Sequence, residues 1–176
     1  MQLFWRKGYS ATSIEDLVDA LHLSRSSLYD TFGDKQTLFL DALKLYSKGV
    51  LRRVSALSDA PSPIVGINAI FDELAASAES DSGAMGCFMV NAIAELVPYD
   101  PDVTAIAAGY NCTFQQLLTE ALVRASAAEL DHSNQPPEQL AAYLFNAIQG
   151  IRVLIKSGAS REQIQAISAI TLASLK

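Results

Sequence analysis

Between Thr12 and Lys35 the chain reads T-S-I-E-D-L-V-D-A-L-H-L-S-R-S-S-L-Y-D-T-F-G-D-K, and its apolar positions fall into two short helical patterns. Ile14, Leu17, Val18 and Leu21 stand at i, i+3, i+4 and i+7, which predicts a helix with one greasy face. Ser13 is a good N-cap for it, and Asp16 stands three residues on, where a carboxylate answers the orphan amides of a first turn. Leu23 interrupts, Ser24 offers a second N-cap, and Arg25 to Phe32 places Leu28 and Phe32 four apart on one face. The other face carries Arg25, Ser26, Ser27, Tyr29 and Asp30. Leu28 and Phe32 are expected to lock onto Leu17, Val18 and Leu21, aiming the polar face outward. Two helices so closely joined suit a helix-turn-helix, whose second helix presents short donors and an Arg to a major groove. On pattern alone they suit equally a capped hairpin inside an all-helical core.

The rest of the chain continues in the same period. Met1 to Lys7 reads as the end of a helix, with Arg6 and Lys7 in a last turn and Gly8 as the stop. Such a helix needs more turns than this, so Met1 is expected to be internal to a longer chain. Gly33 ends the second helix of the pair and Asp34 can cap the next, which carries Leu38, Phe39, Ala42, Leu43, Tyr46 and Val50 to about Leu57. Ser58 to Pro63 is the clearest break. Ile67, Ile70, Phe71 and Leu74 mark a further helix ending near residues 80–83. Met85 to Leu96 is apolar nearly all round and predicts a buried central helix. Pro98 and Pro101 bracket a turn before a long helix from about Asp102 to Leu130. A polar loop from Asp131 to Pro137 precedes two final helices, about Glu138–Lys156 and Ser160–Leu175, with Pro137 at a helix start where its missing N–H does no harm.

Half of the 176 residues are hydrophobic, Gly and Pro are few, and no alternating β-branched run suggests a sheet, so the class is all-α. No apolar stretch of membrane-spanning length is free of polar residues and no signal-peptide layout is present, which points to the cytosol. Two cysteines far apart in sequence, outside any C-x-x-C spacing, argue against a disulfide framework or zinc site. The net charge of −6 is unevenly spread: residues 1–60 hold eight Lys or Arg against seven Asp or Glu, and residues 61–176 hold five against twelve. A near-neutral N-terminal region can still touch phosphate, with modest and salt-dependent affinity.

With Phe4-Trp5-Arg6-Lys7-Gly8-Tyr9 ahead of the helical pair and Leu38-Phe39 behind it, the first quarter of the chain resembles the N-terminal domain of the tetracycline-repressor (TetR/AcrR) family of transcriptional regulators. The resemblance implies a three-helix DNA-binding head carrying the helix-turn-helix, residues 1–45, and a helical effector-binding and dimerisation body, residues 46–176. It implies a homodimer formed through the last two helices, gripping a pseudo-palindromic double-stranded DNA operator with recognition helices about 34–36 Å apart. Ser24, Arg25, Ser26 and Ser27 match the positions that meet base edges and nearby phosphates. Tyr29 matches the aromatic on backbone phosphate, Lys35 the basic residue at the next helix start, and Thr12 and Ser13 the other helix N-terminus against phosphate. Asp30 and Thr31 depart from the aromatic or His residues many members carry there, which puts base preference in doubt. The alternative for the last two helices is that both are used up in the subunit's own core.

In the body, the central helix and its neighbours are expected to line an effector cavity. Candidates are Phe71, Met85, Phe88 and Met89, together with the aromatics Tyr110, Phe114 and Tyr143. Asn91, Glu95 and Asn146 would be the polar contributors. Each could equally be ordinary core. Asn91 and Glu95 stand i, i+4 in an apolar helix, and a buried polar group needs a partner, whether ligand, side chain or water. Cys87, near a helix N-terminus, is either a thiol that reacts with electrophiles or oxidants, as in some members of one branch of the family, or a small buried hydrophobe. Cys112 reads as structural, and neither His22 nor His132 has a metal partner in spacing.

The expected function is a transcriptional regulator acting as a repressor, released from DNA by a small-molecule effector in the body. No cofactor, metal or membrane is implied. An enzyme is disfavoured, since no Ser-His-Asp set, metal cluster, phosphate loop or carboxylate dyad appears. The alternative is a helical adaptor or ligand-binding protein with a vestigial DNA-binding head.

Overall fold

The computed structural model describes residues 1–60, 62–125 and 135–175. Within these the chain is all-helical. α1 (Gln2–Lys7), α2 (Ile14–Leu21), α3 (Arg25–Phe32) and α4 (Lys35–Ser58) come first. α5 (Pro63–Ser77), the single turn α6 (Asp81–Ala84), α7 (Phe88–Leu96) and α8 (Pro101–Arg124) follow, then α9 (Pro137–Lys156) and α10 (Arg161–Ala173). The expected course of α8 beyond residue 125 to Leu130, His132 with most of its loop, and Pro61 in the predicted break lie outside the described residues.

The helix boundaries follow local chemistry. Ser13 caps α2 in a full capping box with Asp16, and Ser160 does the same for α10 with Gln163. Asp34 accepts the Thr37 amide at 2.7 Å and so opens α4. Pro63 and Pro137 occupy first helical positions, where no N–H is required. The turn between α2 and α3 is closed by His22 in the left-handed region, φ 53° and ψ 38°, with the Leu23 amide donating to the Val18 carbonyl. Histidine is among the few non-glycine residues that tolerate this conformation.

Met85 to Leu96 is not the single buried helix that its apolarity predicts. α7 starts at Phe88, and Met85–Cys87 form a turn in which Gly86 has φ +70°. A helix cannot run through that conformation. Nor is α7 buried all round: Phe88, Met89, Ala92 and Leu96 are buried, Ala94 is exposed, and Asn91 and Glu95 are half-buried.

The described chain separates into two compact units, Met1–Gly49 with Phe88–Ala108, and Val50–Cys87 with Gly109–Lys176. The first has an aromatic centre. Phe39 meets Phe4, Tyr9 and Phe88 edge-on at 5.2, 5.1 and 5.5 Å between ring centroids, and Trp5 and Tyr46 close on Phe88 at 6.3 and 5.7 Å. Offset and edge-on geometries of this kind add about 0.5–1.5 kcal/mol per pair beyond burial. The second has an aliphatic core: Ile67, Ile70 and Phe71 of α5, Phe114 and Leu118 of α8, Leu144, Ile148 and Ile151 of α9, and Ile164 of α10 are all buried.

Candidate functional site

The helix-turn-helix is locked by fewer residues than its apolar spacing suggests. Leu17 and Leu28 are buried, Val18 and Phe32 only half-buried, and Leu21 is 41% exposed. Leu21, in the last turn of α2, lines an open groove with Met1, Leu3, Leu17 and Leu38. Burial of a Leu is worth about 1.5–3 kcal/mol, so Leu17 and Leu28, the buried residues of α2 and α3, contribute most of the apolar stabilisation of the pair.

That lock leaves the N-terminal turn of α3 open. Ser24 Oγ accepts the Ser27 amide at 3.1 Å and lies 2.9 and 2.8 Å from the hydroxyls of Ser26 and Ser27. Arg25 and Tyr29 are exposed, and Ser26 stands outward between them. This turn therefore offers three hydroxyls, a guanidinium and free helical amides to an anion or a base edge. The Arg25 guanidinium is not idle. Its Nη1 reaches Glu15 Oε1 at 3.4 Å, a long and exposed pair worth no more than about 1 kcal/mol, which a better acceptor can displace. Glu15 was not among the sequence candidates, since only the fold brings the first turns of α2 and α3 together.

Around the N-terminus of α2 the groups are tied more firmly. Thr12 is fully buried and its Oγ1 donates to the Gly8 carbonyl at 2.6 Å. The expected role of Thr12 toward phosphate needs correcting, because its hydroxyl faces inward and is spent closing the α1–α2 loop. Lys35 Nζ donates to the Thr12 carbonyl at 2.8 Å and lies 4.3 Å from the Tyr9 ring centroid, a cation–π contact. An ammonium has three donors, so Lys35 can brace this loop and still turn an N–H outward. Ser13 donates its amide to Asp16 Oδ2 at 2.9 Å, and Lys7 Nζ pairs with Asp16 Oδ1 at 2.7 Å. The hydrogen bond from Lys7, then that from the Ser13 amide, hold the Asp16 carboxyl down to about 2.

Glu95, expected to face an effector, has another partner. Its Oε2 and Oε1 accept the backbone amides of Tyr9 and Ser10 at 3.0 and 2.7 Å. Burial works against its ionised form, but the Ser10 and Tyr9 amides and the charge of Lys35 outweigh that and lower its pKa. Phe88 and Met89 also belong to the core of this first unit, with Asn91 beside them on α7.

The remaining effector candidates lie in the second unit and only some converge. Arg152 Nη1 donates to both Cys87 Sγ and Tyr110 Oη at 3.1 Å. Cys87 and Tyr110 are buried, and Tyr110 packs edge-on against Phe114 at 5.8 Å. Burial pushes the Tyr110 phenol up, the Arg152 charge opposing and the Cys87 thiol adding to the rise. Phe71 is also core, and Met85 is half-buried in the turn before Cys87. Tyr143 and Asn146 are exposed on α9, away from its buried Leu144 and Ile148, so they do not join this cluster. Arg152 itself was missed. Its signal was an Arg set inside the apolar run Ile148 to Ile155. Cys112 is an exposed free thiol on α8, not the structural filler expected. Among the described residues no His, Cys, Asp or Glu group could hold a metal, and no helix is long and apolar enough to cross a membrane.

A small helix-turn-helix with an open, capped second helix, followed by an all-helical body, defines a helix-turn-helix DNA-binding protein. Residues 1–42 match the family model described as bacterial regulatory proteins, tetR family. The chain is 30% identical over 175 residues to the HTH-type transcriptional repressor ComR of Escherichia coli, covering 98% of this chain and 83% of that one. It is 29% identical over 167 residues to the uncharacterized HTH-type transcriptional regulator YezE of Bacillus subtilis, covering 94% and 86%. Among solved structures, a cysteine mutant of the TetR family transcriptional regulator CifR, complexed with 26-base-pair operator DNA, superposes with a TM-score of 0.79 at 28% identity, over 97% of this chain and 90% of that one. The reduced form of E. coli NemR shares the fold, with a TM-score of 0.83 at 20% identity over 97% and 89%. The chain belongs to the TetR family of transcriptional regulators, and it is therefore a regulator and not an enzyme.

Proposed function

We propose that the protein is a repressor that binds a pseudo-palindromic operator as a homodimer and leaves it when a small molecule binds the body. The observation that carries this reading is the open N-terminal turn of α3, where Ser24, Arg25 and Ser26 are exposed and Ser27 is half-buried, with Leu28 buried behind them. Ser24, Arg25, Ser26 and Ser27 would face the groove. Ser13, Tyr29 and Lys35 would serve the flanking phosphates. The functional division we adopt is residues 1–45 for DNA and 46–176 for effector and dimer.

Repression is supported by the E. coli relatives named repressors, and operator binding by the CifR complex. Dimerisation through α9 and α10 is supported by the apolar side chains that those helices leave in solvent: Val153, Leu154 and, at 74% exposed, Ile170. A four-helix arrangement across a two-fold axis would cover them. The effector region we favour is the Cys87–Tyr110–Arg152 cluster with Phe114 and Phe71, where donors sit within apolar walls. An operator binder works where the DNA is, so the protein is placed in the cytoplasm.

The test is fluorescence anisotropy on DNA flanking the protein's own gene and on scrambled DNA, across a salt series. A selective complex of two subunits per site with a steep salt slope is the expected result. A second reading, an adaptor with a vestigial head, is favoured by the Arg25–Glu15 pair and by the engagement of Lys35 with Thr12. Equal weak binding to every fragment of the whole genome would select it.

A further inference from the structure

The Glu95 carboxylate sits on α7, yet both its oxygens are spent on the loop between α1 and α2. They accept the Tyr9 and Ser10 amides at 3.0 and 2.7 Å, from 86 and 85 residues away in sequence. The loop is shaped to receive it. Gly8 adopts φ +83°, and a Cβ built there would stand 2.7 Å from Glu95 Oε2, so the glycine provides both the conformation and the space. The same short loop continues into the N-cap of α2. Thr12 closes it from within, Lys35 ties the Thr12 carbonyl to the start of α4, and Ser13 caps α2. Charge-assisted hydrogen bonds from two adjacent amides to one carboxylate are strong and directional. Glu95 thus ties this loop to an element that lies beyond α4 in the chain.

We propose that Glu95 is a positioning residue for DNA recognition: by clamping the Tyr9 and Ser10 amides it sets the α1–α2 loop, and through it the pitch of α2 and of the α3 turn that faces the groove. Glu95 does not itself touch DNA. This inference deepens the operator-binding reading and rests on it.

The sign of the effect separates positioning from other roles. Glu95 is an acid in a unit that must approach phosphate, so if it were only a charge, removing it would raise DNA affinity. If it were only a brick in the fold, affinity and melting temperature would fall together. Positioning predicts that Glu95→Ala loses at least tenfold in affinity for the operator while the melting temperature stays within a few degrees of the parent. Glu95→Gln, which keeps one acceptor and the shape, should recover part of the loss. Gly8→Ala should also weaken the clamp from the loop side, and in the double variant the combined loss should be less than the sum, what remains being the strain of alanine at a φ of +83°. Asp102→Asn, an exposed acid of the same unit, is the charge control and should leave affinity unchanged or slightly raised.

Amide spectra of the free full chain make the result independent of any one DNA. In Glu95→Ala, the Tyr9 and Ser10 amides should shift, and so should those of Ser13, Asp16 and residues 24–27. Shifts confined to Tyr9 and Ser10, or operator affinity equal to or above the parent's, would overturn the proposal. A parent that binds no DNA selectively would instead strike the operator-binding reading, leaving the amide spectra to decide whether the clamp sets the helix pair.

Discussion

The two compact units are held together by different physics. The second is mainly aliphatic: Ile67, Leu118, Leu144, Ile148 and Ile164 are all fully buried, with Phe71, Tyr110 and Phe114 set among the core residues and Arg152 bonded to Cys87 and Tyr110. The first has an aromatic centre but a periphery pinned by charge. Lys7 holds Asp16, Lys35 holds the Thr12 carbonyl, Arg25 reaches Glu15, and Glu95 holds two amides. Apolar burial is non-directional, whereas charged hydrogen bonds specify angle. Ion pairs occur in both units, Arg53 with Glu73 and Arg161 with Glu79 in the second, so what sets the first apart is charge spent on main chain: Lys35 on the Thr12 carbonyl and Glu95 on the Tyr9 and Ser10 amides.

The largest expected difference is in what a core truncation does. Phe114→Ala should lower stability to urea by about 3–5 kcal/mol, since it empties a fully buried site between Tyr110 and Phe145. Leu28→Ala, at about 2–5 kcal/mol by the same principle, empties the one buried site of α3, beside an α2 whose buried residue is Leu17. Operator binding should disappear in Leu28→Ala under conditions where far-UV circular dichroism still reports a folded body. Loss of both signals together would show that the two regions do not differ in the way described.

Next comes Arg25→Ala. It should reduce the preference for operator over scrambled DNA by about 1–3 kcal/mol, whereas Lys35→Ala should weaken both DNAs alike. Glu15→Gln should raise operator affinity, because the carboxylate that competes for Arg25 is gone. Equal loss on both DNAs for Arg25→Ala would remove it from base recognition.

A smaller effect distinguishes two N-caps of the same chemistry. Ser24 and Ser160 each accept an amide three residues on. Ser24→Ala and Ser160→Ala should each cost about 1 kcal/mol of stability. Only Ser24→Ala should also weaken operator binding, because its hydroxyl orders those of Ser26 and Ser27. If Ser160→Ala weakened DNA binding as much, the α3 turn would hold no special place.

How much of this could be read from the chain depended on sequence distance. The capping box of Ser13 with Asp16, the cap at Ser24 and the stop at Gly33 are all local, and the helical spacing around them located α2, α3 and α4 correctly. Leu21 shows the first limit: periodicity assigns a face, but not how far the neighbouring element reaches to cover it. Gly86 shows the second, because a largely apolar run from Met85 to Leu96 hides a glycine whose positive φ breaks the helix. The polar partners were the least legible. Glu95 was recognised as an acid needing a partner, but the partner is a pair of main-chain amides more than eighty residues away, and no side-chain pattern marks an amide. Arg152 meets Cys87 across 65 residues and left only the faint signal of a cation in an apolar helix.

The smallest and most general prediction concerns acid. In the first unit Asp16 is held to about 2, and Asp34 and Glu95 are also lowered, by the Thr37 amide for Asp34 and by the Ser10 and Tyr9 amides against the effect of burial for Glu95. Among the described residues the second unit has Glu162 as its lowered acid, at the start of α10. A carboxyl whose folded pKa is depressed contributes stability that is present above its unfolded value, 3.8 for Asp and 4.5 for Glu, and is lost as pH falls through the folded value. The first unit should therefore loosen first, beginning as pH drops below 4.5 and continuing toward 2. Trp5, the single tryptophan, sits in its aromatic centre and reports on it alone. In an acid titration its fluorescence should change before most of the far-UV circular dichroism is lost, and Glu95→Gln should shift the fluorescence midpoint while leaving the dichroism midpoint in place. A dichroism change that runs ahead of Trp5 would mean that the charged ties of the head are ornament on an apolar frame, and that the contrast between the two units is one of composition and not of mechanism.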